Sequence, residues 1–173
     1  MTGRRLATPL LALVPLLSVA MPAASEPGTS VWANFEARDL DGAVWTAEEL
    51  SGRVVLLDFW ATWCAPCLAE IPTYRRATDR FGDAGFLVLG VSIDRTERRQ
   101  LQSFLRRQGI VWPQIHDRRG LDGPLARRFR VEAVPRTFLV DRGGRIVGVD
   151  LRGEVLLAAL PALIATEPTP TAR

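Results

Sequence analysis

Residues 56–72 read LLDFWATWCAPCLAEIP, and they hold both cysteines of the chain, Cys64 and Cys67, with Ala65 and Pro66 between them. Three uses for such a pair can be weighed. A structural zinc site needs four nitrogen or sulfur ligands, usually as two pairs, and this chain offers two cysteines and one histidine, His116. A stapling disulfide gains stability with the length of the loop it closes, so a loop this short gains little. Thiol–disulfide exchange is the favoured reading, and it requires no metal and no cofactor.

The flanking pattern supports that chemistry. The nearly continuous apolar run at 54–60 reads as a strand covered on both faces. A helix is expected from 66 to about 81, kinked at Pro72, which lacks a backbone donor. Cys64 would then stand where the helix begins, facing unpaired N–H groups and the positive end of the helix dipole. Both favour thiolate over thiol. Cys64 is therefore expected to be the exposed nucleophile, and Cys67, a turn further on, the buried resolving thiol. Pro66 suits a first helical position.

Outward from this stretch, 173 residues are enough for one domain with a real core. Arg4 and Arg5 precede residues 6–24, which are uncharged and rich in Leu, Ala and Val, and Ala23-Ala24-Ser25 offers small residues for cleavage. Residues 1–25 thus read as an export signal, or else as an N-terminal membrane anchor. No cysteine lies nearby to carry a lipid. Residues 26–30 read as a linker, 31–166 as the folded domain and 167–173 as a flexible tail. All 22 basic residues are Arg, and without Arg4 and Arg5 the net charge falls to about +1. Paired arginines such as Arg98-Arg99 read as solvated helix faces, and no nucleic-acid partner is expected.

Asp41-Gly42 marks a hairpin turn, and Thr46 with Glu49 fits a capping box. Strands are expected at 86–93, 114–116, 137–140 and 145–149, the last two joined by Asp141-Arg142-Gly143-Gly144. Helices are expected at 96–108, closed by Gly109, at 124–129 and at 154–164. Strands alternating with helices and ending in an antiparallel pair imply an α/β fold around one central mixed sheet.

FWATWCAPCLAEIP, with Gly90-Val91-Ser92 and PQIHDRRGLDGPLARRFRVEAVPRTFLVDRGG at 113–144, resembles the exported TlpA/ResA/CcmG branch of the thioredoxin fold over about residues 35–164. The resemblance implies a thioredoxin fold with an N-terminal hairpin and a central strand-helix insert between Gly109 and Val131. It makes Asp58 a buried acid that relays the proton of the resolving thiol, and Glu70 an acid beside the thiols. It places Val134-Pro135 as the cis-proline turn whose backbone pairs with substrate. Arg136 departs from the pattern, where a small residue such as Thr is usual. If it turned toward Cys64, it would favour the thiolate and attract acidic partners; if it pointed to solvent, it would do neither. Trp60 is expected to pack, and Trp63 to cover the nucleophile's surroundings; His116 reads as a strand-end residue.

The function implied is a monomeric, periplasmic or otherwise extracytoplasmic thiol–disulfide oxidoreductase. Its partners would be a protein disulfide substrate, as in cytochrome c maturation or metal-site assembly, and a membrane electron donor. The alternatives are a dithiol oxidant, a peroxiredoxin-like peroxidase and a redox-inert envelope module. The peroxidase pattern P-x-x-x-T-x-x-C is not met, because Leu57 and Ala61 stand at its first two positions.

Overall fold

The computed structural model describes residues 30–166; the leader, most of the linker and the tail expected from the sequence lie outside them. An antiparallel pair, β1 (Glu36–Arg38) and β2 (Val44–Thr46), opens the fold. Asp39 braces its turn, accepting from the N–H groups of Asp41 and Ala43 and from the Trp45 indole. Thr46 then caps α1 (Ala47–Leu50), as expected.

The central sheet contains β3 (Val54–Trp60), β4 (Phe86–Ser92), β5 (Gln114–His116), β6 (Arg136–Val140) and β7 (Ile146–Val149), in the order β5-β4-β3-β6-β7. β3 pairs parallel with β4 and antiparallel with β6, and β6 with β7. All seven residues of β3 are buried, which explains why its apolar run does not alternate. The remaining helices are α2 (Ala65–Ala69), α3 (Ile71–Phe81), α4 (Arg98–Gln108), α5 (Pro124–Arg128) and α6 (Gly153–Ala165). Among the described residues no helix is long and apolar enough to cross a membrane.

Two hydrophobic cores lie on the two sheet faces. Val54, Leu56 and Trp60 join Tyr74, Ala77 and Phe81 of α3, Leu101 and Leu105 of α4, and Leu156 and Leu160 of α6. Val55, Leu57 and Phe59 join Trp32, Phe35, Leu50, Ala126, Phe138 and Val140, with Phe129 packed against them. Gly144 is required where the β6–β7 turn meets the start of the domain: its φ is +78°, and a Cβ there would lie 1.9 Å from the Ser30 hydroxyl.

One expected element is corrected. The single kinked helix at 66–81 is two helices, α2 and α3, broken at Glu70. Pro72 has no N–H to offer the Leu68 carbonyl; the Glu70 N–H turns back to Cys67 and Leu68 instead, and Pro72 sits in the first turn of α3. The other expected boundaries agree to within one or two residues.

Candidate active site

β3 ends at Trp60, and Ala61–Trp63 carry the chain into α2 with Cys64 as its N-cap. This connection is held from β4's end: buried Asp94 accepts from the Thr62 N–H (3.0 Å), the Thr62 hydroxyl (2.6 Å) and the Ser92 hydroxyl (2.9 Å). Trp60 is buried, its indole N–H donating to Gln114 at 2.8 Å. Trp63 stands 68% exposed beside the cysteines.

Cys64 and Cys67 form a disulfide, with Sγ atoms 2.03 Å apart and Cα atoms 5.3 Å apart. The Cys67 N–H donates to Cys64 Sγ at 3.3 Å. Because α2 is only five residues long, this N–H, rather than a long macrodipole, is the direct source of positive potential at the sulfur. Cys64 was expected to be exposed, but in the disulfide it is as buried as Cys67, at 4% and 5%. The exposed rim around the disulfide is made by Trp63, Ala65 and Pro66.

Asp58 lies on the same sheet face as the thiols, since β3 residues 54, 56, 58 and 60 share that face. Burial pushes its pKa from 3.8 up to about 7; the Tyr74 hydroxyl and the Arg152 guanidinium pull it down, and the Glu70 carboxylate pushes it further up. Its Oδ1 has no hydrogen-bond partner, nor does the hydroxyl of Thr137 directly across on β6. Nothing on that side favours the charged form, and the result is an acid that changes protonation near neutrality. Tyr74, the chain's single tyrosine, is held neutral by its own burial and the nearby Asp58 and Glu70 charges.

Glu70, half-buried at the α2–α3 break, accepts from the Gly153 N–H at 2.9 Å. The Val134–Pro135 peptide bond is cis, and the Pro135 carbonyl accepts from Arg152 at 3.1 Å. Arg136 pairs in register with Phe59, on the sheet face opposite Asp58, and its guanidinium binds Asp150 at 2.7 Å. It therefore neither faces the thiols nor stands free in solvent. His116 Nε2 meets the Thr96 carbonyl at 3.0 Å. Sequence reasoning missed Tyr74, Asp94 and Arg152. Tyr74 was findable, because it lies one turn after Glu70 on the same helix face; Arg152 carried no local signal.

A family model, that of the AhpC/TSA family, matches residues 29–149. The chain belongs to the AhpC/TSA family. Over 121 residues it is 26% identical to the thiol-disulfide oxidoreductase ResA of Bacillus thuringiensis subsp. konkukian, covering 70% of this chain and 67% of that one. To the ResA of Halalkalibacterium halodurans it is 31% identical over 120 residues, covering 69% and 66%. Among solved structures, the thioredoxin domain of a thiol-disulfide oxidoreductase from Bacteroides vulgatus matches with a TM-score of 0.69 at 28% identity, covering 78% of this chain and 96% of that one. A thiol-disulfide oxidoreductase from Bacteroides fragilis gives 0.69 at 27% identity, covering 78% and 99%. Within the AhpC/TSA family the chain falls in the TlpA/ResA/CcmG-like branch, with a thioredoxin fold and the CxxC pair of a thiol–disulfide oxidoreductase.

Proposed function

We propose that this AhpC/TSA member is an exported reductant of specific protein disulfides in the cell envelope, recharged by a membrane electron donor. The observation that carries the reading is the Cys64–Cys67 disulfide at the start of α2, with buried Asp58 poised near pH 7 on the same side of the sheet. In the reduced protein the Cys64 thiolate attacks one sulfur of the substrate disulfide, and the other substrate sulfur leaves as a thiolate and takes up a proton. Cys67 then gives its proton to Asp58 and attacks Cys64 Sγ. The second substrate sulfur leaves as a thiolate and takes up a proton, and the protein is left with the Cys64–Cys67 bond. Two electrons have passed to the substrate, and two from the donor restore the dithiol.

The charge of Glu70, one turn beyond Cys67, disfavours the ionised form of Asp58. Trp63 and the backbone of Val134 at the Pro135 turn form the surface on which a substrate segment lies. Arg136, tied to Asp150, borders that turn and orders it without touching the sulfurs. The uncharged stretch at 6–24 after Arg4 and Arg5 supports export, with or without retention as an anchor. Disulfides of apocytochromes and of metal-site cysteines are the substrate class that the branch suggests.

A Cys67→Ser protein expressed with its leader should accumulate a reducible mixed disulfide with one or a few envelope proteins, whereas Cys64→Ser should not. Equal capture by both variants, or by neither, would reject the reading. An equilibrium potential as oxidising as about −120 mV would reverse the direction and make the protein a dithiol oxidant.

A further inference from the structure

Three unrelated pieces of the site converge on the short link between β7 and α6. Asp150 adopts a left-handed conformation, φ 55°, in which its N–H donates to the Thr137 carbonyl and its Oδ1 accepts from the Thr137 N–H. Its carboxylate thereby extends the β6 ladder beside the residue that faces Asp58. It binds the guanidinium of Arg136 at 2.7 Å and that of Arg152 at 3.6 Å. Arg152, the N-cap of α6, donates to the Pro135 carbonyl at 3.1 Å, and the next N–H, that of Gly153, donates to Glu70. Its Nε is buried without a hydrogen-bond partner, although its side chain is 38% exposed overall. An arginine whose Nε gives up hydrogen bonding is held there by something other than its own solvation.

We propose that Arg152 is a positioning residue for the resolving step: it locks the Pro135 turn and the Glu70 carboxylate in one frame, and presents its charge to Asp58 as Asp58 takes the proton of Cys67. This rests on the role given to Asp58 above. The titratable and polar groups acting on Asp58 come from several surrounding elements: Glu70 from the α2–α3 break, Tyr74 from α3, Thr137 from β6 and Arg152 from the β7–α6 link, while β4 contributes only Gly90. Glu70 disfavours the Asp58 carboxylate and Arg152 favours it. Because one backbone link holds both the arginine and the Glu70 partner, the two opposing charges keep their spacing when substrate pulls on the Pro135 turn.

The test isolates the resolving step. Reduced protein is mixed in stopped flow with dithiobis-nitrobenzoate; the first coloured thiolate reports attack by Cys64, and the second reports attack by Cys67 on the mixed disulfide. For the wild type the second rate should rise with pH through an inflection near the Asp58 value. In Arg152→Met that inflection should move up by about one unit, the low end of what a nearby cation does. The second rate at pH 7 should then fall about fivefold, with the first rate unchanged. Arg152→Lys, which keeps the charge, should bring the inflection back toward the wild type; a purely structural role would not give that rescue. If Arg152→Met titrates like the wild type while Asp58→Asn abolishes the inflection, the assignment to Arg152 is wrong and that to Asp58 stands. If Asp58→Asn keeps the inflection, both fall.

Discussion

Two neighbouring rows of the central sheet, one residue apart in register, show how one strand serves two purposes. The first row runs Gln114, Gly90, Asp58, Thr137 across β5, β4, β3 and β6. The second runs Ile115, Val91, Phe59, Arg136 across the same strands. The first lies on the thiol face and carries no apolar side chain. The second lies on the opposite face, where Phe59 meets Phe129 and Phe138 with ring centroids 5.8 and 6.1 Å apart. Because strand side chains alternate, the packing residue Phe59 and the acid proposed to serve the thiols, Asp58, occupy adjacent positions of one buried segment. Substitutions in the two rows should therefore separate cleanly, and the cysteines set the scale.

Cys64→Ser should reduce disulfide-exchange activity to background, because it removes the thiol at the start of α2 that opens the substrate bond. An insulin-reduction assay checks this; residual turnover above that of free dithiol would break the assignment of the reactive face to Cys64. Phe59→Ala, on the silent face, should cost about 3–5 kcal/mol of unfolding free energy. The remaining folded protein should keep the wild-type pH inflection of the resolving step. A shifted inflection would mean that the two faces are coupled and the separation is false.

Asp58→Asn should do the reverse. Well below pH 3.8 the carboxyl is protonated in both the folded and unfolded chains, so it has no linkage effect. Between 3.8 and about 7 the unfolded chain ionises Asp58 while the folded chain keeps the proton, so stability falls as the pH rises. Above pH 7 the loss is constant, about 4 kcal/mol by linkage. The oxidised Asp58→Asn protein should thus gain roughly 2–4 kcal/mol at pH 8 and almost nothing at about pH 3. Denaturant midpoints at the two pH values measure this. A gain independent of pH would show that packing, not ionisation, separates the rows.

Most of the fold was legible because the physics that fixes it is local. The run at 54–60 could only be a strand covered on both faces, Gly109 closes α4 in the left-handed region with φ 62°, and Asp141-Arg142-Gly143-Gly144 turns β6 into β7. The cysteine pair was legible from its spacing to the strand end, whereas Asp58 came forward only through the family resemblance. The break at Glu70 was missed because Pro72 can either bend a helix or begin one, and the donor it withholds decides which. The burial of Cys64 depends on how the chain around it packs, which no spacing reveals. The side on which Arg136 lies depends on register, where a slip of one residue exchanges the faces. Arg152 was invisible for a simpler reason: its bond to Pro135 spans 17 residues, and that of Gly153 to Glu70 spans 83.

Gln114 tests whether polarity in the reactive row is always functional. Its side chain lies over Gly90, where a Cβ would sit 2.2 Å from Oε1, so the missing side chain on β4 makes room for it. There it accepts from the Trp60 indole at 2.8 Å and donates weakly to the Trp112 carbonyl at 3.4 Å. Unlike Asp58 Oδ1 it is satisfied, and it carries no proton to exchange. Gln114→Leu keeps the size but strands the indole N–H, and should cost about 1–2 kcal/mol. The resolving-step inflection should stay where it is, because Gln114 adds no charge beside Asp58. Loss of stability with an unmoved inflection would confine reactivity in this row to Asp58; an inflection that moves would make the whole row, from β5 to β6, part of the proton path.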